Sequence, residues 1–269
     1  MKTIDILICT LNKGIVRVSD ILMPPREEIR YIVSFQYTDD RYLDLVPPIL
    51  KERADVSFYT LNGQGLSCNR NNALEKATSD LVMFADDDTR LLPDAYEQIV
   101  HTFDTNDIDV AFFQATTYTG KPLKEYPDAP FTYDRRTTLT YSISAIEMVC
   151  RRKAIQGVIR FDERFGLGTQ FLTCGEEEIW LEDALRTGLR MKYFPERTVE
   201  TSTMLKKKMV YVDAGVQRSR GAMTYYRMGN RAWLACAKFA MQSSINGLCH
   251  FWPMMHHLAE GIRYMKRTK

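Results

Sequence analysis

Leu81-Val82-Met83-Phe84-Ala85-Asp86-Asp87-Asp88 joins five apolar residues to three carboxylates without a break. An apolar run this short, bounded by turn-forming residues, reads as a buried strand and not as a helix. Upstream, Ser67 stands where an N-cap belongs, ahead of a helix over 68–77; downstream, residues 93–103 read as a second helix. The alternation extends to the N-terminus. Strands are expected over 4–9, 29–35 and 55–59, with polar turns at Thr10-Leu11-Asn12-Lys13-Gly14 and Asn62-Gly63-Gln64-Gly65. Strands alternating with helices predict an α/β chain on a parallel, doubly wound sheet.

Further along, Val110-Ala111-Phe112-Phe113 and Ser142-Ile143-Ser144-Ala145-Ile146 look strand-like. They flank a Pro- and charge-rich loop from Lys121 to Arg136, a plausible substrate-side element on such a scaffold. Residues 176–187 read as a helix with an apolar stripe of Trp180, Leu181, Ala184 and Leu185, and Gly188 suits its C′ position. Beyond Tyr211 the chain looks helical, aromatic and Met-rich.

The 269 residues are 45% apolar and 26% charged, the balance of a folded globular chain and not of a disordered, collagen-like or disulfide-stapled one. No run of about 18 uncharged apolar residues occurs, which argues against a spanning helix. Met1-Lys2-Thr3-Ile4-Asp5 places an acid in the first apolar stretch and reads as a strand, not a leader. Cys9, Cys68, Cys150, Cys174, Cys236 and Cys249 form no C-x-x-C pair and read as reduced thiols, which places the chain in the cytoplasm. The net charge of +2 is unevenly divided: residues 206–269 hold twelve Lys and Arg against Asp213 and Glu260, a net +10, leaving −8 on the rest. Such a division suggests a polyanionic partner, with a solvated basic face as the alternative.

Three successive carboxylates at a strand end repel one another, and a divalent cation would relieve that cost. Hard oxygen donors suit Mg²⁺ or Mn²⁺, and ligand sites of open α/β sheets lie beyond the carboxyl ends of the strands. The alternative is a solvated acidic turn. The second acidic cluster, Gly175-Glu176-Glu177-Glu178, opens a helix, where the dipole favours acids whatever their function. The preceding Arg164-Phe165-Gly166-Leu167-Gly168-Thr169 has the composition of a site wall, and a carboxylate beside it would serve as a general base toward a hydroxyl. His256 and His257, neighbours on a helix, are expected to point apart and lack zinc-site spacing.

Gly65-Leu66-Ser67-Cys68-Asn69-Arg70-Asn71-Asn72-Ala73, followed by Asp80 to Asp88, resembles the family 2 glycosyltransferases, with their Arg-Asn helix and a strand ending in a DxD metal motif. Phe161-Asp162-Glu163-Arg164-Phe165-Gly166-Leu167-Gly168 and Gly175-Glu176-Glu177 resemble the acceptor-side segment and Glu-Asp motif of that family. The resemblance covers residues 4 to 200. It implies a GT-A-like doubly wound mixed sheet flanked by helices. The catalytic domain would span 1–205, with a nucleotide-sugar half over 1–100 and an acceptor half over 101–205. Residues 206–269 would form a basic, aromatic, helical extension.

The resemblance further implies metal-dependent, inverting transfer from a nucleotide-sugar donor, a UDP-sugar first among the candidates. The acceptor would be a hydroxyl of a glycan or lipid-linked molecule, in bacterial surface polysaccharide or glycolipid synthesis. Asp88 and Asp86 match ligands of Mn²⁺ or Mg²⁺, and Asp87 lies with them on the donor side. Thr10 and Asn12 match positions lining the nucleoside pocket, Gln36 stands where a base could be hydrogen-bonded, and Arg70 matches a donor contact. Glu177, eleven positions before Gly188 as in the family, matches the catalytic base, with Glu176 its rival. The literal pair Glu182-Asp183 falls mid-helix and reads as surface. Three departures stand out: Glu replaces the usual Asp at 177, the second strand ends in Phe35-Gln36-Tyr37, and Val199-Glu200-Thr201-Ser202 lacks the metal-binding His common in the family.

Trp233, Phe239, Phe251, Trp252, Met254 and Met255 lie among Lys and Arg and read as a surface for an anionic membrane, making the protein peripheral. The rivals are helices packed on the core and a homodimer contact. No nucleic-acid module is present. Two other functions fit parts of the pattern. A sugar nucleotidyltransferase is disfavoured by the single glycine of residues 10–14, and a degenerate donor-binding scaffold is favoured by the missing His and the substituted base.

Overall fold

A computed structural model describes residues 1–137, 141–202 and 209–268. Lys206, Lys207, Lys208 and Lys269 of the basic segment lie outside the described residues. The chain divides into two units. The first comprises Met1–Gln64, Cys68–Arg160 and Asp183–Leu205; the second comprises Gly65–Ser67, Phe161–Glu182 and Lys206–Lys269.

The first unit is built on a nine-stranded sheet. In chain order its strands are β1 (Ile4–Leu11), β2 (Ile29–Tyr37), β3 (Val56–Asn62), β4 (Leu81–Asp86), β5 (Thr89–Leu91), β6 (Val110–Thr117), β7 (Phe131–Thr132), β8 (Met148–Arg151) and β9 (Met191–Thr201). The order across the sheet is β3-β2-β1-β4-β8-β6-β9-β5, with β7 on β9. The β3-β2-β1-β4 block is parallel, whereas β8 runs antiparallel to both β4 and β6. The sheet is therefore mixed, as the GT-A-like reading expects, and not wholly parallel. β1, β2 and β4 carry continuous apolar runs because a parallel sheet is covered on both faces. Ile4, Ile6, Ile8, Val33, Phe35, Met83 and Ala85 share one buried cluster. Asp5, buried among them, accepts hydrogen bonds from Thr78 N (2.6 Å), Ser79 N (2.8 Å) and Ser79 Oγ (2.7 Å), which satisfies its charge.

Short helices α1 (Val18–Ile21), α2 (Ile49–Glu52) and α5 (Arg152–Ile155) accompany the longer α3 (Leu66–Lys76), α4 (Ala95–Thr105) and α6 (Glu176–Arg186). Two local expectations need correction. Helix α3 starts at Leu66, so Ser67 sits inside its first turn, and its hydroxyl donates to the Phe165 carbonyl (2.7 Å) instead of capping. Residues 142–146 are not a strand. Ser144 and Glu147 form a reciprocal capping box around a tight turn at Ala145–Glu147, and the strand begins at Met148.

The second unit gathers α7 (Ala214–Met228), α8 (Ala232–Ile245) and α9 (Phe251–Arg267). Asp213 caps α7 by accepting from Val216 N (2.8 Å). A Cβ at Gly221 would lie 2.0 Å from the Leu258 carbonyl oxygen, and one at Gly261 1.9 Å from that of Arg218. These glycines let the backbones of α7 and α9 touch. Ala222, Cys236, Ala240, Leu258 and Ile262 form a core with Phe165, Leu172 and Ile179. The expected membrane-facing set is largely internal: Met254 is buried, and Trp233, Phe239, Phe251 and Met255 pack against this core. Of those six residues, Trp252 alone is well exposed, at 79%. No described helix is long and apolar enough to cross a membrane.

Candidate active site

Strand order reverses at β1, which has β2 and β3 on one side and β4 on the other. The crevice beyond the carboxyl ends of such strands is where ligands enter an open α/β sheet. Cys9 pairs with Asp86 and Leu11 with Gln36, so the register brings Thr10, Gln36 and Asp86 to one edge. Gln36 is buried at the end of β2. Asn12 follows β1 with a left-handed φ of 52°, which its short polar side chain tolerates. Its carboxamide oxygen accepts from Thr38 N (2.9 Å), and its nitrogen donates to the Thr38 hydroxyl (3.0 Å). That pair of bonds ties the turn after β1 to the turn after β2.

The three carboxylates have separate surroundings. Asp87 accepts from the Thr10 hydroxyl (2.8 Å) and is ion-paired with Arg17. Burial raises its pKa, opposed by the Thr10 hydrogen bond and the Arg17 charge. Gly14 lies directly against it: a Cβ there would be 1.9 Å from Asp87 Oδ2. Asp86 lies 3.6 Å from the guanidinium of Arg70, which is buried on α3 with only 3% of its side chain exposed. Asp88 accepts from the Thr201 hydroxyl (3.1 Å) and from the Ser202 hydroxyl, while its main-chain carbonyl accepts from the Tyr118 hydroxyl (2.6 Å). Repulsion within the triplet is thus offset by two arginines and several hydroxyls of the protein itself. Arg70 also tempers Cys9, whose thiol burial pushes up to about 12.

The donor set fits a divalent cation. Asp86 keeps 35% of its side chain exposed, and Asp88 is oriented by hydroxyls that are themselves hard oxygen groups. Asp87 is turned to Thr10 and Arg17 and suits a structural role better. Arg17 and Tyr118 were not singled out in the sequence, and Thr201 and Ser202 were noted only as part of the stretch that lacks a metal-binding His. The two hydroxyls reach Asp88 because β5 pairs antiparallel with β9, Thr89 opposite Thr201, a long-range pairing that no local pattern announces.

In the second unit, α6 begins immediately after Gly175, whose φ is +98°. A Cβ at Gly175 would lie 2.5 Å from Met223 Sδ, and one at Gly166 (φ +110°) 3.2 Å from the Glu176 carboxyl carbon. Leu66 N donates to the Leu167 carbonyl (2.9 Å), which fixes the glycine-rich turn against the start of α3. These contacts account for Gly166 of the expected site wall and for Gly175 ahead of the acidic cluster. Glu176 is buried and Glu177 half-buried. The sequence reading overlooked Glu178: burial raises its pKa first and the Glu177 charge second, opposed by Arg227 and Arg220. Burial also pushes the adjacent Cys174 thiol up to about 12.

Glu182 is not a surface residue. Its side chain is 8% exposed and lies 3.8 Å from Arg227 on α7, because mid-helix positions of α6 face that packed layer. His256 and His257 do not point apart in effect: both reach Glu260, at 3.4 and 3.1 Å. Arg218 stands 3.6 Å from the same carboxylate and opposes a cation there. All six cysteines are free thiols.

The model of glycosyl transferase family 2 matches residues 8–173 of the chain. No curated protein is significantly similar to it in sequence. Among solved structures, S. aureus TarS 1-349 superposes with a TM-score of 0.62 at 12% identity, covering 99% of this chain and 92% of that one. TarS 1-349 in complex with UDP gives a TM-score of 0.56 at 14% identity (99% and 89% covered), and its complex with UDP-GlcNAc 0.57 at 13% (99% and 91%).

Proposed function

This chain belongs to glycosyl transferase family 2; we propose that it is a metal-dependent, inverting enzyme that takes its sugar from a nucleotide-sugar donor, a UDP-sugar. The observation that carries the reading is the carboxylate pair Asp86 and Asp88 at the strand-order reversal, within the segment the family model matches. The choice of UDP follows the ligands held by the similar TarS structures.

In this reading Asp86 and Asp88 would hold Mn²⁺ or Mg²⁺, which when bound supplies Lewis-acid stabilisation of the departing diphosphate. Thr201 and Ser202 orient Asp88. Arg70, fixed by burial and facing Asp86, contributes a permanent positive charge on the donor side. Gln36, Thr10 and Asn12 border the nucleoside. Glu177 accepts the proton of the acceptor hydroxyl as that oxygen attacks the sugar, with Glu176 its rival for that role and Glu178 the acid whose environment favours the protonated form. Residues 1–205 form the catalytic domain and 206–269 its extension. The acceptor is a glycan or a lipid-linked molecule of a bacterial surface polysaccharide or glycolipid route.

The test is thermal stabilisation by UDP, GDP, dTDP and CMP, each with Mn²⁺ or with EDTA. A ligand at 100 times its dissociation constant stabilises by about 2.7 kcal/mol. A shift with UDP alone, requiring Mn²⁺ and lost in Asp88→Asn, supports the reading. No shift with any nucleotide refutes it. Glu177→Gln is expected to bind donor normally and lose transfer; loss in Glu176→Gln with transfer retained in Glu177→Gln moves the base by one residue.

A further inference from the structure

Helix α8 packs its small residues inward: Ala232, Cys236, Ala240 and Ser243 are buried. Its opposite face is also apolar. Leu234 (78% exposed), Met241 (55%) and Ile245 (74%) recur at helical spacing along one stripe, and Leu248 (42%) and Trp252 (79%) are exposed beyond the end of the helix. A helix that is apolar all round is ordinarily covered on every side, and three large exposed side chains in one stripe, with two more in the segment that follows, mark an interaction surface. The charged residues beside the stripe are basic: exposed Arg231 precedes Leu234, and exposed Lys238 lies between Leu234 and Met241. Helix α8 contains no acidic residue. Residues 209–268 hold eight Lys and Arg against Asp213 and Glu260, and Glu260 is already engaged by His256, His257 and Arg218.

We propose that this face of α8 docks on a lipid bilayer containing anionic phospholipid, with Leu234, Met241, Ile245, Leu248 and Trp252 entering the headgroup–acyl boundary and Arg231 and Lys238 pairing with lipid phosphates. A second copy of the chain is the poorer occupant. A two-fold contact pairs each residue of the patch with another residue of the same patch, and with no acid on the helix neither Arg231 nor Lys238 of either copy would find a partner charge. An anionic interface pairs the same charges, at about 1 kcal/mol each, while the apolar stripe leaves water. The inference stands on α8 and its flanks and is independent of the donor-site reading.

The test is sedimentation of the full chain with vesicles of phosphatidylcholine alone or with about 30% phosphatidylglycerol. Binding is expected only to the anionic vesicles and should weaken with salt, with a blue shift of tryptophan emission absent in Trp252→Phe. The triple variant Leu234→Glu/Met241→Glu/Ile245→Glu changes exposed positions, so its melting temperature and circular dichroism should match the parent, while its partition falls roughly 100-fold. Lys238→Glu is expected to cost ~10-fold. Failure of the full chain to bind anionic vesicles, or undiminished binding by the triple variant, overturns the proposal. A concentration-dependent dimer abolished by the triple variant also overturns it, assigning the face to a second copy.

Discussion

Gly14 offers the sharpest test of how the donor-side carboxylates are held. Its backbone is not in the left-handed region, so alanine is conformationally acceptable, and the stiffer unfolded chain alone would favour Gly14→Ala by about 0.4–1 kcal/mol. Against this, the added Cβ would sit 1.9 Å from Asp87 Oδ2 and 2.7 Å from Thr10 Oγ1. Displacing Asp87 loosens its hydrogen bond from Thr10 and its pairing with Arg17. A lost charge-assisted hydrogen bond costs about 1.5–3 kcal/mol, and overpacking in a tight site costs a similar amount. The net expectation is a loss of about 2 kcal/mol, or roughly 4–8 °C in Tm for a chain of this size. Urea denaturation of the parent, Gly14→Ala, Asp87→Ala and the double variant closes a cycle. With the carboxylate gone, the alanine methyl has room, so the two losses should be sub-additive by at least ~1 kcal/mol. Additive losses, or a Gly14→Ala protein as stable as the parent, would refute the close approach and with it the assignment of Asp87 as a locked, non-ligating acid.

Glu178 predicts a pH signature of opposite sign to that of a paired acid. Its folded pKa is raised by burial and by Glu177, so ionising it costs the folded state more than the unfolded one. The penalty is absent below the ordinary carboxylate range, grows as pH rises from that range to the raised folded value, and is constant above it. Glu178→Gln should therefore melt above the parent at pH 8 and level with it near pH 4; equal melting at both would remove the acid from consideration. Thr201→Val/Ser202→Ala should weaken Mn²⁺ binding, read by electron paramagnetic resonance, by ~10-fold through the lost alignment of Asp88, whereas unchanged affinity would leave those hydroxyls a purely structural role. Lys124, bonded to the fully buried Glu147 at 2.7 Å, shares that carboxylate with the Tyr126 hydroxyl at 2.6 Å. Lys124→Met should cost about 3 kcal/mol by leaving the acid undercompensated, and Lys124→Met/Glu147→Leu should recover part of it in denaturant titrations.

The central block of the sheet was legible because its strands are covered on both faces and must be written as unbroken apolar runs: 4–9, 29–35 and 81–85 all fall inside observed strands. The three C-terminal helices were legible in outline, from few acids and many large apolar residues. What failed were single-residue assignments that depend on partners distant in sequence. Ser67 has the identity of a cap, yet the Phe165 carbonyl, 98 positions away, claims its hydroxyl. Ser144 and Glu147 carry an ordinary capping-box spacing, which the alternation of Ile143 and Ile146 with small residues obscured. The aromatic residues of the basic tail were read by type, and type does not tell which face of a helix they occupy. Leu234, Met241 and Ile245 lie at the same period as the inward set, shifted round the helix, so only packing separates the two.

The argument for a cation at the triplet changes once its surroundings are known. From sequence alone, a divalent cation is one way to relieve the repulsion of three adjacent carboxylates, a solvated acidic turn the other. In the folded unit that repulsion is already met: Arg17 and Thr10 hold Asp87, Arg70 faces Asp86, and two hydroxyls hold Asp88. A divalent ion would therefore add to a formed site and not rescue an unstable one, so chelation should alter stability only slightly in the absence of nucleotide. Binding of ion and nucleotide should then be coupled, because the diphosphate supplies the further oxygen ligands that a pair of carboxylates lacks. EDTA titration followed by Tm separates the cases. A large loss of stability on chelation without nucleotide would mean that the arginines and hydroxyls do not suffice, whereas a loss seen only in the presence of UDP is what the observed partners of Asp86, Asp87 and Asp88 require.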